Sequence, residues 1–526
     1  MIDSMNIELE EIKINTDVLV IGGGLAAMNI ASEIADGNRN VVLVDAPKEL
    51  EDNLTLLSLA ASTDTKGIEV LSETQLVRVS GFSGDFQVKL SQGGEMVDRN
   101  VGAIVLATDL TVKPLADDFG LSLADNIVTP SQLEAKLADG KVSGMAVAFL
   151  TGISKDSNPL IMERLLDNVS KTLEAKDNTA YIFTDDLKVA GPGLDRTYRQ
   201  TRDKGATYFK MKEKPAVSKD GKSIVFIDPV VGREIEIAVD MVVVEEQICA
   251  NPVNKTLSDI LNIDIDATEF LQLENVHRWT VNTNREGIFV AGPGRDIKNT
   301  SLLGAESASV ALNIKALQSE EKSIPKTAVV DRDKCVICLT CYRCCPHGAI
   351  TWDDKAVISA MACQGCGICA SECPMDAIQI QDFSDQELKG KIQENLQAVD
   401  KGQSIIAFCC RNSALEAEKK AKEAGDSLPE GLRIIEVPCA GKIDVDYILS
   451  AFVEGAKGVM VLSCHEGNCK AERGNTFAGR RVQDVHAMMD DMGVAKDRLQ
   501  FATLASNQGK LFSELVCEME AKLNAL

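Results

Sequence analysis

The sequence predicts an α/β multidomain protein: a split Rossmann-like unit with an inserted α/β unit, a small cysteine-dense unit, and a C-terminal α/β unit. Three observations predict it. Apolar strand-like runs alternate with amphipathic helical runs at both ends of the chain. A glycine run stands between the first strand and its helix. The 16 cysteines are clustered: Cys249 alone precedes residue 330, nine lie from Cys335 to Cys373, and six follow. Clustering at short fixed spacings indicates metal rather than scattered disulfides.

The 526 residues suffice for three or four domains. A composition 45% hydrophobic and 25% charged is ordinary for a globular protein. The net charge of −24 argues against nucleic acid and anionic membrane surfaces as partners. No apolar run approaches the ~20 residues of a spanning helix. Asp3, Glu8, Glu10 and Glu11 give the N-terminus the wrong charge for a secretory signal. The expected location is cytoplasmic.

In chain order, an apolar strand at Asp17–Ile21 meets the glycine run, a helix follows, and a second strand ends at Asp45. Two β-like runs near Val77–Leu90 and the strand Ala103–Ala107 close the first unit. The insert alternates strand Met145–Leu150, amphipathic Leu160–Leu173, strand Tyr181–Thr184 and helical Arg196–Arg202. Gly287–Leu317 returns to a strand, a Gly-Pro-Gly turn and a small-residue helix. A linker with Lys322 and Pro325 leads to the cysteine-dense unit, and the charged run Asp385–Lys401 leads to the last. There, strands Ser404–Phe408, Arg433–Val437 and Gly458–Leu462 alternate with helices. The expected domains are 1–110 with 248–320, 111–247, 327–383 and 403–526.

The cysteine-dense unit repeats one motif. Cys335, Cys338, Cys341 and Cys345-Pro346 recur as Cys363, Cys366, Cys369 and Cys373-Pro374. Three thiolates on a tight loop wrap one face of a cubane, and the fourth reaches the other cluster. One [4Fe–4S] cluster is therefore expected on Cys335, Cys338, Cys341 and Cys373, and a second on Cys363, Cys366, Cys369 and Cys345. Zinc also favours CxxC pairs, but asks for neither a third cysteine at that spacing nor the Cys-Pro. Over about 55 residues the unit resembles the bacterial two-cluster ferredoxin domain. Cys344 is left over as a buried thiol.

Gly22-Gly23-Gly24-Leu25-Ala26-Ala27 follows a strand and opens a helix, with Asp45 ending the next strand. In that context Gly22 permits the turn, Gly24 admits a pyrophosphate, Ala27 allows close packing, and Asp45 meets a ribose hydroxyl. Ala107-Thr108-Asp109 ends an apolar strand, and Gly292 and Asp296 belong to a late flavin-type motif. Over roughly Asn15–Phe383 these pieces resemble the A-subunit family of heterodisulfide reductase and the related subunits of quinone-interacting complexes. The resemblance implies FAD held through Gly22, Gly24, Leu25, Ala26, Ala27, Asp45, Ala107, Thr108, Gly292 and Asp296. Three features depart from the family: Asp45 replaces its usual Glu, Ala46–Leu57 lacks its glycine pair, and the insert lacks the cysteines with which the A subunit binds an additional cluster. The insert also lacks both a second glycine fingerprint and a CxxC.

Cys409-Cys410, Cys439 and Cys464 each follow an apolar strand, with Cys469 in a short loop beyond. Strand carboxyl ends converge on one crevice in open α/β folds, so these thiolates can meet. Phe408-Cys409-Cys410, Pro438-Cys439-Ala440-Gly441 and Cys464-His465-Glu466-Gly467-Asn468-Cys469 resemble the delta subunit of methyl-viologen-reducing hydrogenase. That resemblance, over about Ser404–Leu526, implies one [2Fe–2S] cluster on Cys410, Cys439, Cys464 and Cys469, with Cys409 as the substitute for Cys410. Ser413 stands where the family often has a further cysteine.

No nucleophilic triad is legible, and four histidines leave little material for one. Cys249 and Cys517 read as core. His465 reads as a loop residue, and His347 as either a neighbour tuning the second cluster or surface filler. Glu245–Glu246 and Asp490–Asp491 read as solvated faces. The resemblances together imply an oxidoreductase subunit of anaerobic energy metabolism, relaying electrons between FAD, two [4Fe–4S] clusters and a [2Fe–2S] cluster. Expected partners are heterodisulfide-reductase-like, hydrogenase-like or quinone-reactive subunits in a hetero-oligomer, through which the chain could attach to a membrane complex. The competing expectations are a stand-alone ferredoxin:NAD(P)H oxidoreductase and a cluster scaffold with a vestigial flavin site.

Overall fold

Val18–Ile21 is fully apolar because it runs through the middle of a parallel sheet and is covered on both faces. A computed structural model describes residues 14–35, 39–46, 67–175, 177–228, 230–271, 275–297, 303–317, 328–397 and 404–526. The linker carrying Lys322 and Pro325, and the glycine-free run after Ala46, lie outside the described residues. The first sheet has the order Ile288–Val290, Ala103–Leu106, Val18–Ile21, Val41–Ala46, Ile68–Ser72, all parallel. Helices Leu25–Ala35 and Leu303–Leu317 cover one face. A three-stranded antiparallel sheet and helix Val253–Leu261 cover the other.

That antiparallel sheet corrects the expectation of two β-like runs. It comprises Thr74–Phe82, Asp85–Gln92 and Glu95–Val101. The third strand escapes sequence reading because one face is solvated and its side chains are mostly polar. The insert has its own parallel sheet, ordered Thr207–Lys210, Thr179–Thr184, Ala146–Thr151, Met241–Val243, Ile127–Val128. A two-stranded ribbon, Thr111–Pro114 against Glu246–Cys249, carries the chain into the insert and back.

In the cysteine-dense unit, Ala328–Val330 pairs with Ile378–Ile380 and Ile350–Trp352 with Ala356–Ile358, both antiparallel. Short helices Thr340–Cys344 and Ile368–Ser371 carry ligand-type cysteines. The last unit is a parallel sheet ordered Leu432–Val437, Ile405–Cys410, Gly458–Ser463, Leu499–Thr503. Its fourth strand adds to the three expected. One buried apolar cluster runs without a break from Ile350, Ile368 and Ile378 into Phe408, Val437, Val461 and Val485. The cysteine-dense and C-terminal units therefore share a core.

Candidate functional site

The duplicated motif folds into two loops related by a shift of 28 positions. Ile337 and Leu339 adopt left-handed backbone at φ 56° and 60°, and their counterparts Gly365 and Gly367 do so at 62° and 83°. This conformation turns successive N–H groups inward and makes a nest for an anion. Glycine takes it freely, whereas Ile337 is strained there.

Cys335, Cys338, Cys341 and Cys373 line one small cavity with Val336, Ile337, Met375 and Ile378. Cys345, Cys363, Cys366 and Cys369 line a second with Ile350, Ile358, Ile368 and Ile380. Each cavity thus gathers three cysteines of one half-motif and the fourth of the other. Burial pushes the Cys366 and Cys369 thiols far up, so these sulfurs are unstable as free thiolates without a cation to hold. Cys344 lies outside both sets, donates to the Cys341 carbonyl, and is pushed up to about 12 by burial.

The C-terminal cysteines meet as two close pairs. Cys410 Sγ lies 3.7 Å from Cys464 Sγ, and Cys439 Sγ lies 3.9 Å from Cys469 Sγ. Hydrogen bonds from the Cys439 and Cys464 thiols, helped by the Asn412 N–H, pull Cys410 well down. The same two thiols, with the N–H groups of Asn475 and Ala471, pull Cys469 down. Cys409 is excluded from the ring by strand alternation: Ile406, Phe408 and Cys410 face this core, while Ile405, Ala407 and Cys409 face the opposite one. Among the described residues, no three His, Cys, Asp or Glu side chains converge closely enough to hold a single ion. Paired sulfurs of this kind suit a polynuclear cluster.

Helix Gly474–Asp491 starts against this ring. A Cβ on Gly474 would lie 2.2 Å from Cys439 Sγ and 3.4 Å from Cys469 Sγ, so glycine alone lets the positive helix end approach the sulfurs. Sequence reading missed Gly474; its glycine directly after a helix-breaking loop was the available signal. His465 turns away, with Nδ1 3.0 Å from Thr503 Oγ1 and Nε2 3.0 Å from Gln508 Oε1.

The second cysteine set abuts the C-terminal one. The space for a Cβ on Gly367 is filled by the Lys442 side chain, and that on Gly441 by Ile368. Ser371 Oγ donates to the Lys442 carbonyl at 2.7 Å. Arg481 donates to the Gly441 and Ile443 carbonyls at 2.8 Å each and to the Glu372 carboxylate, next to Cys373. Lys442, 1% exposed, bonds Asp385 and Tyr447. His347 is buried rather than surface filler, with Nδ1 3.3 Å from the Asn284 carbonyl. It lines the cavity between Cys366 and Cys439. The nucleotide domain joins the same junction: Asn284 donates to the Pro346 carbonyl, Asn275 to the Cys469 carbonyl, and Arg278 to Glu472.

In the first domain the structure brings Gly22, Gly24, Ala27, Ala107, Thr108 and Gly292 to one corner. Gly22 has φ 139°, and a Cβ there would stand 2.1 Å from the Ala107 carbonyl oxygen. A Cβ on Gly292 would stand 2.6 Å from the Ala26 Cβ, and Gly294 packs on Thr108. Leu25 and Ala26 open the helix, with Leu25 exposed. Asp45 is the penultimate residue of its strand Val41–Ala46, beside the strand that leads into the glycine turn. Asp296, two residues beyond Gly294, lines the cleft against the insert. The Asp109 carboxylate stands over Gly24, and burial raises its pKa. The turn, the helix end and the glycine cradle fit a pyrophosphate, provided Asp109 swings aside. Gly22→Ala is expected to cost about 1–3 kcal/mol from its backbone alone, measurable as a lowered urea midpoint.

Three assignments are corrected. Cys249 is half-buried and lines the cleft rather than the core, because its ribbon has only one covered face. Cys517 is exposed on the outer side of helix Gly509–Ala525. Glu245 and Glu246 are buried at 6% and 7% exposure, each with partners from other elements. Ile153 and Ser154 donate to Glu245, and Ser131 and Arg164 to Glu246.

Residues 405–526 match the family model described as methyl-viologen-reducing hydrogenase, delta subunit. They are 35% identical over 122 residues to the vhu iron-sulfur D-subunit of the F420-non-reducing hydrogenase of Methanocaldococcus jannaschii, covering 91% of it and 23% of this chain. Through this domain the chain belongs to the delta-subunit family. Before the delta-subunit domain, residues 356–379 match a 4Fe-4S binding domain. Over most of its length the chain is similar to the A-subunit of heterodisulfide reductase. It is 23% identical over 469 residues to that of the ferredoxin:CoB-CoM heterodisulfide reductase of Methanosarcina mazei, using 84% of this chain. The chain spans 59% of the length of that relative. Among solved structures, Lactococcus lactis thioredoxin reductase aligns with TM-score 0.41 at 15% identity, over 57% of this chain and 98% of that one. Among the described residues, no helix is long and apolar enough to cross a membrane.

Proposed function

We propose that this chain is an electron-transferring oxidoreductase subunit that connects FAD, two [4Fe–4S] clusters and one [2Fe–2S] cluster within a heterodisulfide-reductase-like or quinone-interacting complex. The observation that carries the reading is the contiguity of three cysteine sets. The ferredoxin-type pair shares cysteines across its halves, and its second set rests on the turn carrying Cys439 through Gly367, Ile368, Ser371 and Arg481. A bound flavin exchanges two electrons at once, and clusters carry one at a time.

The chain's own residues supply the frame. Cys335, Cys338, Cys341 and Cys373 would hold one cubane, and Cys345, Cys363, Cys366 and Cys369 the other. Cys410, Cys439, Cys464 and Cys469 would hold the [2Fe–2S] centre, favoured by the end of helix Gly474–Asp491. Gly22, Gly24, Ala107, Thr108 and Gly292 would frame the flavin's pyrophosphate. The apolar side chains beside the two sets, with the N–H groups of Gly365 on Cys363 and of Ala377 on Cys373, would tune the potentials of bound clusters. Partners would be other redox subunits of such a complex.

The test is flavin and iron per polypeptide after purification without oxygen. One FAD with ~10 iron is expected. Full iron without flavin, even after FAD is supplied, would sink the flavin part and leave a cluster relay.

A further inference from the structure

The insert's sheet reverses its strand order beside Ala146–Thr151: the chain moves out to Thr179–Thr184 and Thr207–Lys210, then returns to the other side as Met241–Val243. In open α/β sheets such a switch point is where ligands bind, beyond the strand carboxyl ends. A cleft of about 550 Å³ opens there, lined by Thr151, Gly152, Asn158, Arg164, Glu245 and Glu246 among others. The loop after Thr151 offers successive backbone N–H groups to an anion, as a dinucleotide's phosphates require.

The chain fills that place itself. Ile153 and Ser154 donate their N–H groups to one oxygen of Glu245 at 2.8 and 3.0 Å. Arg164, on the cleft wall, donates to Glu246 at 2.8 Å and to both oxygens of Glu134, while Lys214 Nζ donates to Ser154 Oγ at 3.3 Å. The nest and the arginine that would grip a pyrophosphate are thus both engaged by carboxylates on neighbouring elements.

We infer that Glu245 acts as an internal phosphate substitute which closes the insert domain to nicotinamide dinucleotides. A pyrophosphate would have to displace a buried carboxylate from its N–H donors while standing beside Glu246. Electrons then cannot enter or leave this chain as hydride through the insert, and the domain keeps the shape of a dinucleotide binder without its ligand. Burial holds the Glu245 carboxyl above the usual carboxylate range, and the N–H groups of Ile153, Ser154 and Lys155 offset only part of that cost.

The experiment compares the full-length wild type, Glu245→Gln and Glu245→Ala. Inorganic phosphate, against chloride at equal ionic strength, should leave the melting temperature of the wild type and of Glu245→Gln unmoved, because the glutamine oxygen still accepts from the nest. It should raise that of Glu245→Ala by a few degrees through mass action. Titration of the wild type with NADH and NADPH should show no binding tighter than about 1 mM. Equal stabilisation of wild type and Glu245→Ala by phosphate overturns the assignment. So does micromolar NADH or NADPH binding by the wild type, whether or not Glu245→Ala folds. Any phosphate bound at the Gly22 cradle acts equally on all three proteins, so the difference between them reads the insert alone, and its failure leaves the relay reading standing.

Discussion

Replacing Cys464 by alanine is expected to remove about two of ~10 iron atoms per chain and to leave both ferredoxin-type clusters intact. Cys464 directly follows the strand Gly458–Ser463 and touches Cys410, so its loss takes one sulfur from each close contact that it makes in the ring. The ferredoxin-type sets draw none of their eight cysteines from this unit, so their absorption should persist. Cys409→Ala is the matched control. That thiol is equally buried and one residue from the ring, but on the other face of the sheet. It should lose only packing, about 1 kcal/mol, and no iron. Iron analysis of both variants decides: equal loss from the two, or loss from Cys409→Ala alone, would remove the assigned ligand set.

Arg481→Ala should be the most damaging substitution outside the cysteines. The guanidinium is 7% exposed and holds two backbone carbonyls of the Cys439 turn together with Glu372 of the ferredoxin-type unit. Removing it leaves those carbonyls buried and the carboxylate unpaired, a loss of about 3 kcal/mol or more. Arg473→Ala makes the comparison, since that side chain is 69% exposed and only 4.0 Å from Asp264. It should change stability by less than about 0.5 kcal/mol. Urea unfolding followed by iron–sulfur absorption reads both, and coincident midpoints for the two variants would refute the clamp. Electron exchange between the second cubane site and the C-terminal site should slow in Arg481→Ala, because their relative placement rests on that contact.

Local spacing carries the most readable information. The half-motif repeat separates its eight cysteines into two groups, and the structure gathers those same groups around two cavities. The strand-end cysteines also point to one crevice. The choice between Cys409 and Cys410 is not legible in sequence, because it depends on which sheet face the neighbouring strands present. Glu245 and Glu246 mislead for a related reason: a charged pair looks solvated until a distant loop turns its N–H groups onto it. Lys442 and Arg481 are ordinary surface-type residues by sequence and become buried only when two units meet, with Glu372 partly covered beside them. Leu499–Thr503 escapes notice as a strand because its burial is partial at the sheet edge.

The uninterrupted apolar cluster spanning the cysteine-dense and C-terminal units bears on how such a chain can be inherited and dissected. Two modules joined by a tether can be exchanged or lost singly, since each keeps its own interior. Here an interior has grown across the seam, and severing the chain between Gln397 and Ser404 would bare Ile368 and the Gly441 turn to water. In this chain the fragments should survive only if they reassociate. What began in sequence as a fusion of parts has become, in its packing, one indivisible body.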